Sequence, residues 1–109
     1  MAKYLARAKY TAPEGIRGLI EDGGTVRMEA VRELVRSVGG TMETFYFALG
    51  DFDAFVIVDM PELVAGVSAA LTVNASGFAT CDIVALLSPE EMDEAAKRSP
   101  VYDAPGADA

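Results

Sequence analysis

The sequence predicts an α+β fold in which four strands and two main helices follow the order βαββαβ, with a short helix at the C-terminal end. Three observations carry this prediction. Apolar and polar residues alternate in four short stretches, helical spacing fills the longer stretches between them, and glycine, proline and acid clusters mark the junctions. Such an order places the strands as 4-1-3-2 in an antiparallel sheet with both main helices on one face, the split-βαβ or ferredoxin-like arrangement.

The first strand is "KYLARAKYT", where Tyr4, Ala6, Ala8 and Tyr10 share one face and Leu5, Arg7 and Lys9 the other. A helix follows: Thr11 with Glu14 fits a capping box, Pro13 fits a first turn, and Ile16, Leu19 and Ile20 form an apolar stripe. Gly23 and Gly24 break it. Thr25 then suits the cap of a second segment, with Val31, Leu34, Val35 and Val38 at helical spacing, stopped by Gly39 and Gly40. Strands two and three are expected over 41–49 and 53–59. Asp59, Pro61 and Glu62 signal the next helix, whose Leu63, Val67 and Leu71 fall one turn apart and which exits through Asn74 to Gly77. "FATCDIVALL" is the fourth strand, and Ser88 with Glu91 forms a capping box for the last helix. Residues 1–99 read as one domain and residues 100–109 as a flexible tail.

The sheet face away from the helices presents a packing problem. Leu5, Phe78, Val84 and Leu86, together with Phe45, Phe47, Phe55 and Ile57, are more apolar surface than a lone sheet shows to water. A second copy of the chain is the expected cover, as a homodimer or higher oligomer. On this face Arg7 and Lys9 should lie beside Asp82 and Thr80, either as a cross-strand ion pair or as a polar spot where Arg7, Asp82 and Tyr46 orient a small molecule.

Composition narrows the function. The 109 residues suffice for one core, and 9 basic against 17 acidic residues give a formal charge of −8. The basic residues form no stripe, which argues against nucleic acid and anionic membranes as partners. The apolar runs are strand-sized and the start has no signal-peptide block, so a cytoplasmic protein is expected. The single cysteine, Cys81, allows no internal disulfide, and its alternation with Ala79 and Ile83 marks it as a buried, inert thiol. Histidine is absent. Its absence excludes His-based triads, His-ligated metal sites and His-ligated haem, and no metal or cofactor is expected.

The motifs "GGTVR" at 23–27, "GGTMETFYFALGDFD" at 39–53 and "LLSPEEMDEAAKRS" near the end, in that order, resemble the GYD family of small proteins over about residues 1–99. That family is similar to the dimeric α+β barrels, a superfamily that includes monooxygenases, isomerases, stress-response proteins and ligand-sensing domains. The resemblance therefore implies fold and not activity. The family signature corresponds to Gly50, Phe52 and Asp53, with phenylalanine where the family is named for tyrosine. A role requiring that phenol is closed to this chain.

Asp51 and Asp53 flank Phe52 in the turn between strands two and three, where Gly50 supplies backbone freedom and the acids can bind turn amides. Asp53 is also the candidate general base or ligand-orienting acceptor. Two acids are too few for a magnesium or calcium site. Arg27, following Gly23 and Gly24, could meet an anionic ligand or pair with Asp22, Glu29 or Asp53. Resemblance and motif spacing together put a pocket between this glycine break and the Gly50 to Asp53 turn. Three functions fit: a homo-oligomeric module that binds or senses a small molecule, a cofactor-independent isomerase or oxygenase with Asp53 as base and Arg27 holding an anion, or an assembly protein.

Overall fold

The computed structural model describes residues 2–106, and the last three residues of the expected tail, 107–109, lie outside them. Four strands, β1 (Ala2–Tyr10), β2 (Thr41–Phe47), β3 (Ala54–Met60) and β4 (Ala79–Leu86), form one antiparallel sheet of order β2-β3-β1-β4. Helices α1 (Glu14–Asp22) and α2 (Gly24–Ser37) connect β1 to β2, α3 (Leu63–Ser76) connects β3 to β4, and α4 (Pro89–Lys97) follows. This is the α+β, ferredoxin-like architecture that the alternation predicts.

The pleat divides the sheet as expected in β1 and β4. Tyr4, Ala6, Ala8 and Tyr10 pair with Ala85, Ile83, Cys81 and Ala79, and this face meets the helices. β3 alternates strictly, with Ala54, Val56, Val58 and Met60 buried and Phe55, Ile57 and Asp59 half-buried on the other side. In β2, however, Tyr46 lies opposite Phe55, which turns Phe45 and Phe47 under the helices rather than onto the open face. Phe45 packs against the core, and the Phe47 ring meets Gly24 at the start of α2. A bulge between Met42 and Thr44 places Glu43 beside Lys3. Phe78 also leaves the open face, bordering instead a cavity with Gly18 and Leu19 of α1.

Two of the expected helix caps are spent otherwise. The Thr11 hydroxyl donates to the Gly77 carbonyl at 2.8 Å, and the residue before α1 is Pro13, which makes no side-chain cap. Thr25 lies inside α2, preceded by Gly23 at φ +81° and ψ 167°, a conformation that only glycine adopts readily. That geometry turns α1 into α2 within one residue. Ser88 and Glu91 form the reciprocal capping box predicted for α4.

The third helix reverses the expected stripe. Its buried residues are Ala65, Gly66 and Ala69, while Leu63, Val67 and Leu71 face outward with 57, 39 and 63 % of their surface exposed. Small side chains bring α3 down onto β4, and Asn74 fixes the contact. Its side-chain amide donates to the Ala70 and Cys81 carbonyls and accepts from the Cys81 N–H at 3.0 Å. Ile20 of the α1 stripe is likewise exposed. No residue of α4 is buried, so nothing in the domain covers this nine-residue helix. Among the described residues no helix is long and apolar enough to cross a membrane.

Candidate functional site

Helix α2 packs over β2 and α3 over β4, so the two helices part above the central strands β1 and β3. The gap is a cavity of about 130 Å³. Ala6 and Ala8 of β1, Ala54 and Val56 of β3, and Ala79 and Cys81 of β4 contribute to its floor, and Val31, Leu34, Gly66, Ala69 and Ala70 line its helix side. The cavity exists because these positions carry small residues where larger ones would fill the core. Its polar groups are few: Tyr4, Tyr10, Arg27 and the Cys81 thiol. Burial, with a smaller effect from the Asp82 charge, pushes that thiol above its usual pKa, so it stays protonated and weakly nucleophilic at neutral pH.

A second, more polar cavity of about 410 Å³ lies between α1 and the C-terminal half of α3. Asp22, Thr72 and Ser76 border it, and Tyr10, Arg27, Val73 and Ala79 border both cavities. The chambers thus share one boundary, and Arg27 stands on it. Its guanidinium donates to Asp22 at 3.4 Å, one of the three ion pairs the sequence left open for it.

The opposite face of the sheet carries a row of side chains across all four strands. Asp82, Arg7, Phe55 and Tyr46 are register neighbours from β4 to β2. Arg7 donates two hydrogen bonds to Asp82, at 2.9 and 2.7 Å, and its guanidinium carbon lies 4.4 Å from the centre of the Phe52 ring. Hydrogen bonding from Arg7 holds the Asp82 carboxyl below the usual carboxylate range. The pair therefore stabilises the fold above the ordinary carboxylate pKa and loses that contribution as pH falls through the lowered value. Half of the Asp82 side chain is exposed, which keeps the effect small. Tyr46 is 71 % exposed at the end of the row. Next to it runs an apolar row, Val84, Leu5 and Ile57, that ends on β2 at Thr44.

Asp53 stands apart from both chambers. It is the one charged residue buried among those described, at 4 % exposure, and its carboxylate accepts from the Tyr10 N–H at 3.0 Å and from Lys9 Nζ at 3.3 Å. Its own N–H donates to the Ala8 carbonyl at 2.8 Å and its carbonyl accepts from Ala48 at 2.7 Å. Lys9 also donates to the Gly50 carbonyl at 3.1 Å, closing the turn over the end of β1. Asp51 is exposed.

The residues singled out from the sequence thus fall in three places. Arg27 lies at the two chambers, Arg7, Asp82 and Tyr46 share the open face, and Gly50 with Asp53 makes the β2–β3 turn. Gly23, Gly24, Gly50 and Asp53 border neither chamber. Sequence reasoning missed the alanines of the cavity and Tyr10. The available signal was the repeated Ala and Gly on faces predicted to be buried, where a full core would need larger side chains. No group of three or more His, Cys, Asp or Glu side chains among the described residues could hold a metal ion.

No curated protein and no solved structure matches the chain significantly. A model of the GYD domain matches residues 4–96, which takes in both chambers, the open-face row and the Asp53 turn. The chain belongs to the GYD domain family.

Proposed function

We propose that this protein is a homo-oligomeric module that binds a small organic molecule between its sheet and helices. The observation that carries this reading is the apolar cavity of about 130 Å³, bordered by a few polar groups and sharing Tyr10, Arg27, Val73 and Ala79 with a second, more polar chamber. An apolar cavity only slightly larger, about 150 Å³, binds benzene. A lone cysteine and the absence of a disulfide framework support a cytoplasmic setting.

The binding reading is tested with a neutral probe. Fluorotoluene, followed by ¹⁹F NMR, should bind saturably and shift the amide signals of Ala8, Ala54 and Ala69. Ala69→Leu, which projects into the cavity from α3, should abolish binding while leaving the protein folded. Absence of saturable binding to the parent protein, or undiminished binding to the variant, would remove the cavity as the site.

Assembly is supported by the open face, where Val84, Leu5, Ile57 and Phe55 form a contiguous apolar patch, and by the outward Val64, Val67 and Leu71 of α3. Native mass spectrometry should find an even-numbered oligomer. Ile57→Lys puts a charge in the middle of the sheet patch and is expected to halve the oligomer's size or reduce it to the monomer, without loss of helical circular dichroism. An unchanged oligomer would show that the sheet face is not the interface.

A further inference from the structure

We propose that the ligand of this cavity is a small monoanion with an apolar body, an aryl or branched-chain monocarboxylate in chemical class, and that Arg27 and Tyr10 bind its charged end. The inference rests on the binding reading above and assigns a chemistry to the same site.

The first observation is where Arg27 sits. It borders both chambers, the apolar one and the one that also carries Asp22, Thr72 and Ser76, so a molecule whose apolar body fills the first can bring its polar end to this guanidinium. The second is what Arg27 has left to give. A guanidinium carries five N–H donors in a planar fork. Among the described residues its side chain makes one long hydrogen bond, at 3.4 Å to Asp22, leaving donors for a bidentate carboxylate.

Tyr10 supplies the third observation. It borders the same two chambers and is 8 % exposed, yet its hydroxyl makes no hydrogen bond with the described residues. A buried tyrosine hydroxyl usually has a partner. Since no buried side-chain oxygen is sealed off without one, this hydroxyl opens on accessible space, where it can donate to a bound carboxylate.

Charge limits the class further. Asp22 stands beside Arg27 in the more polar chamber, and the chain as a whole carries −8. Arg27 is the one cation among the residues lining either chamber and already faces Asp22, so a first anionic group can use only its remaining donors, and a second would find no cation and the Asp22 charge beside it. A dicarboxylate should therefore bind more weakly than its monocarboxylate counterpart. The apolar chamber offers no carboxylate to receive an ammonium group carried on the ligand's body, which sets amines that would bury their charge there at a disadvantage.

The test compares phenylacetate, its neutral isostere phenylacetamide and the dianion phenylsuccinate, by isothermal titration at low ionic strength and by amide chemical shifts. Phenylacetate is expected to bind at least tenfold more tightly than either of the others, with shifts at Arg27, Tyr10 and Ala69. Arg27→Gln should bring phenylacetate down to the affinity of phenylacetamide and leave the amide unaffected; Arg27→Lys should keep part of the preference. Tyr10→Phe should weaken the acid several-fold more than the amide. Equal binding of acid and amide to the parent protein would overturn the charge assignment and leave the apolar cavity standing. Failure of all three compounds together with fluorotoluene would overturn the binding reading itself.

Discussion

Gly15→Ala is expected to lower the melting temperature by about 15 °C, whereas Gly18→Ala, one turn further along the same helix, should raise it slightly. Gly15 is buried against the entry to β4. A Cβ there would overlap the Phe78 carbonyl oxygen and come within 3.0 Å of both its carbon and Thr11 Oγ1. Backbone cannot swing aside as a long side chain can. The same carbonyl accepts the Thr11 N–H at 3.0 Å, and the Thr11 hydroxyl bonds the neighbouring Gly77 carbonyl, so moving it disturbs the join between β1, α1 and β4 together.

Overpacking and at least one weakened hydrogen bond add to about 3 kcal/mol, a large part of a small domain's stability. At Gly18 an added Cβ meets nothing within 4 Å, and replacing glycine in a helix interior contributes roughly 0.5–1 kcal/mol of stability. Opposite signs in thermal melts of the two variants, at one protein concentration, are the expected result. A neutral Gly15→Ala would mean that α1 does not lie against Phe78.

This contrast also marks where sequence reasoning runs out. The alternation of β1 and the Ser88 capping box were legible because each depends on neighbours in sequence or on a simple two-residue period, while the pairing of Arg7 with Asp82 was permitted by alternation and strand order and fixed only by the β1–β4 register. Phe45 and Phe47 were not, because alternation gives two faces without saying which is which, and only the register of Tyr46 against Phe55 decides. In α3 nearly every residue is apolar or small, so Leu63, Val67 and Leu71 looked like a core stripe. The sheet instead selects Ala65, Gly66 and Ala69, which allow close approach. Thr11 had two possible uses for one hydroxyl, and a carbonyl distant in sequence won. The cavity was hardest to read, since it consists of side chains that are small and unremarkable one at a time. Arg27 stood out in the sequence, but Tyr10 read as a core or interface aromatic, and only the structure sets it on the border of both chambers with no hydrogen-bond partner for its hydroxyl among the described residues.

Asp53→Ala is the second large effect, expected to cost about 2–3 kcal/mol, against less than about 1 kcal/mol for Asp53→Asn. Alanine would leave the buried Tyr10 N–H without its acceptor and Lys9 without its charge partner at the end of β1. Asparagine keeps an oxygen for the Tyr10 N–H and gives up only the pairing with Lys9, whose side chain is half exposed and therefore well solvated. Urea unfolding measures the two costs. Hydrogen exchange locates them, with protection of the Tyr10 amide lost in Asp53→Ala and retained in Asp53→Asn. Because Asp53 borders neither chamber, Asp53→Asn should bind phenylacetate as the parent does. Asp53→Ala should bind it more weakly, through the loosened Tyr10. If asparagine left stability intact and still abolished binding, the carboxylate would have to act on the ligand directly, and its place as the anchor of the β2–β3 turn would not account for it.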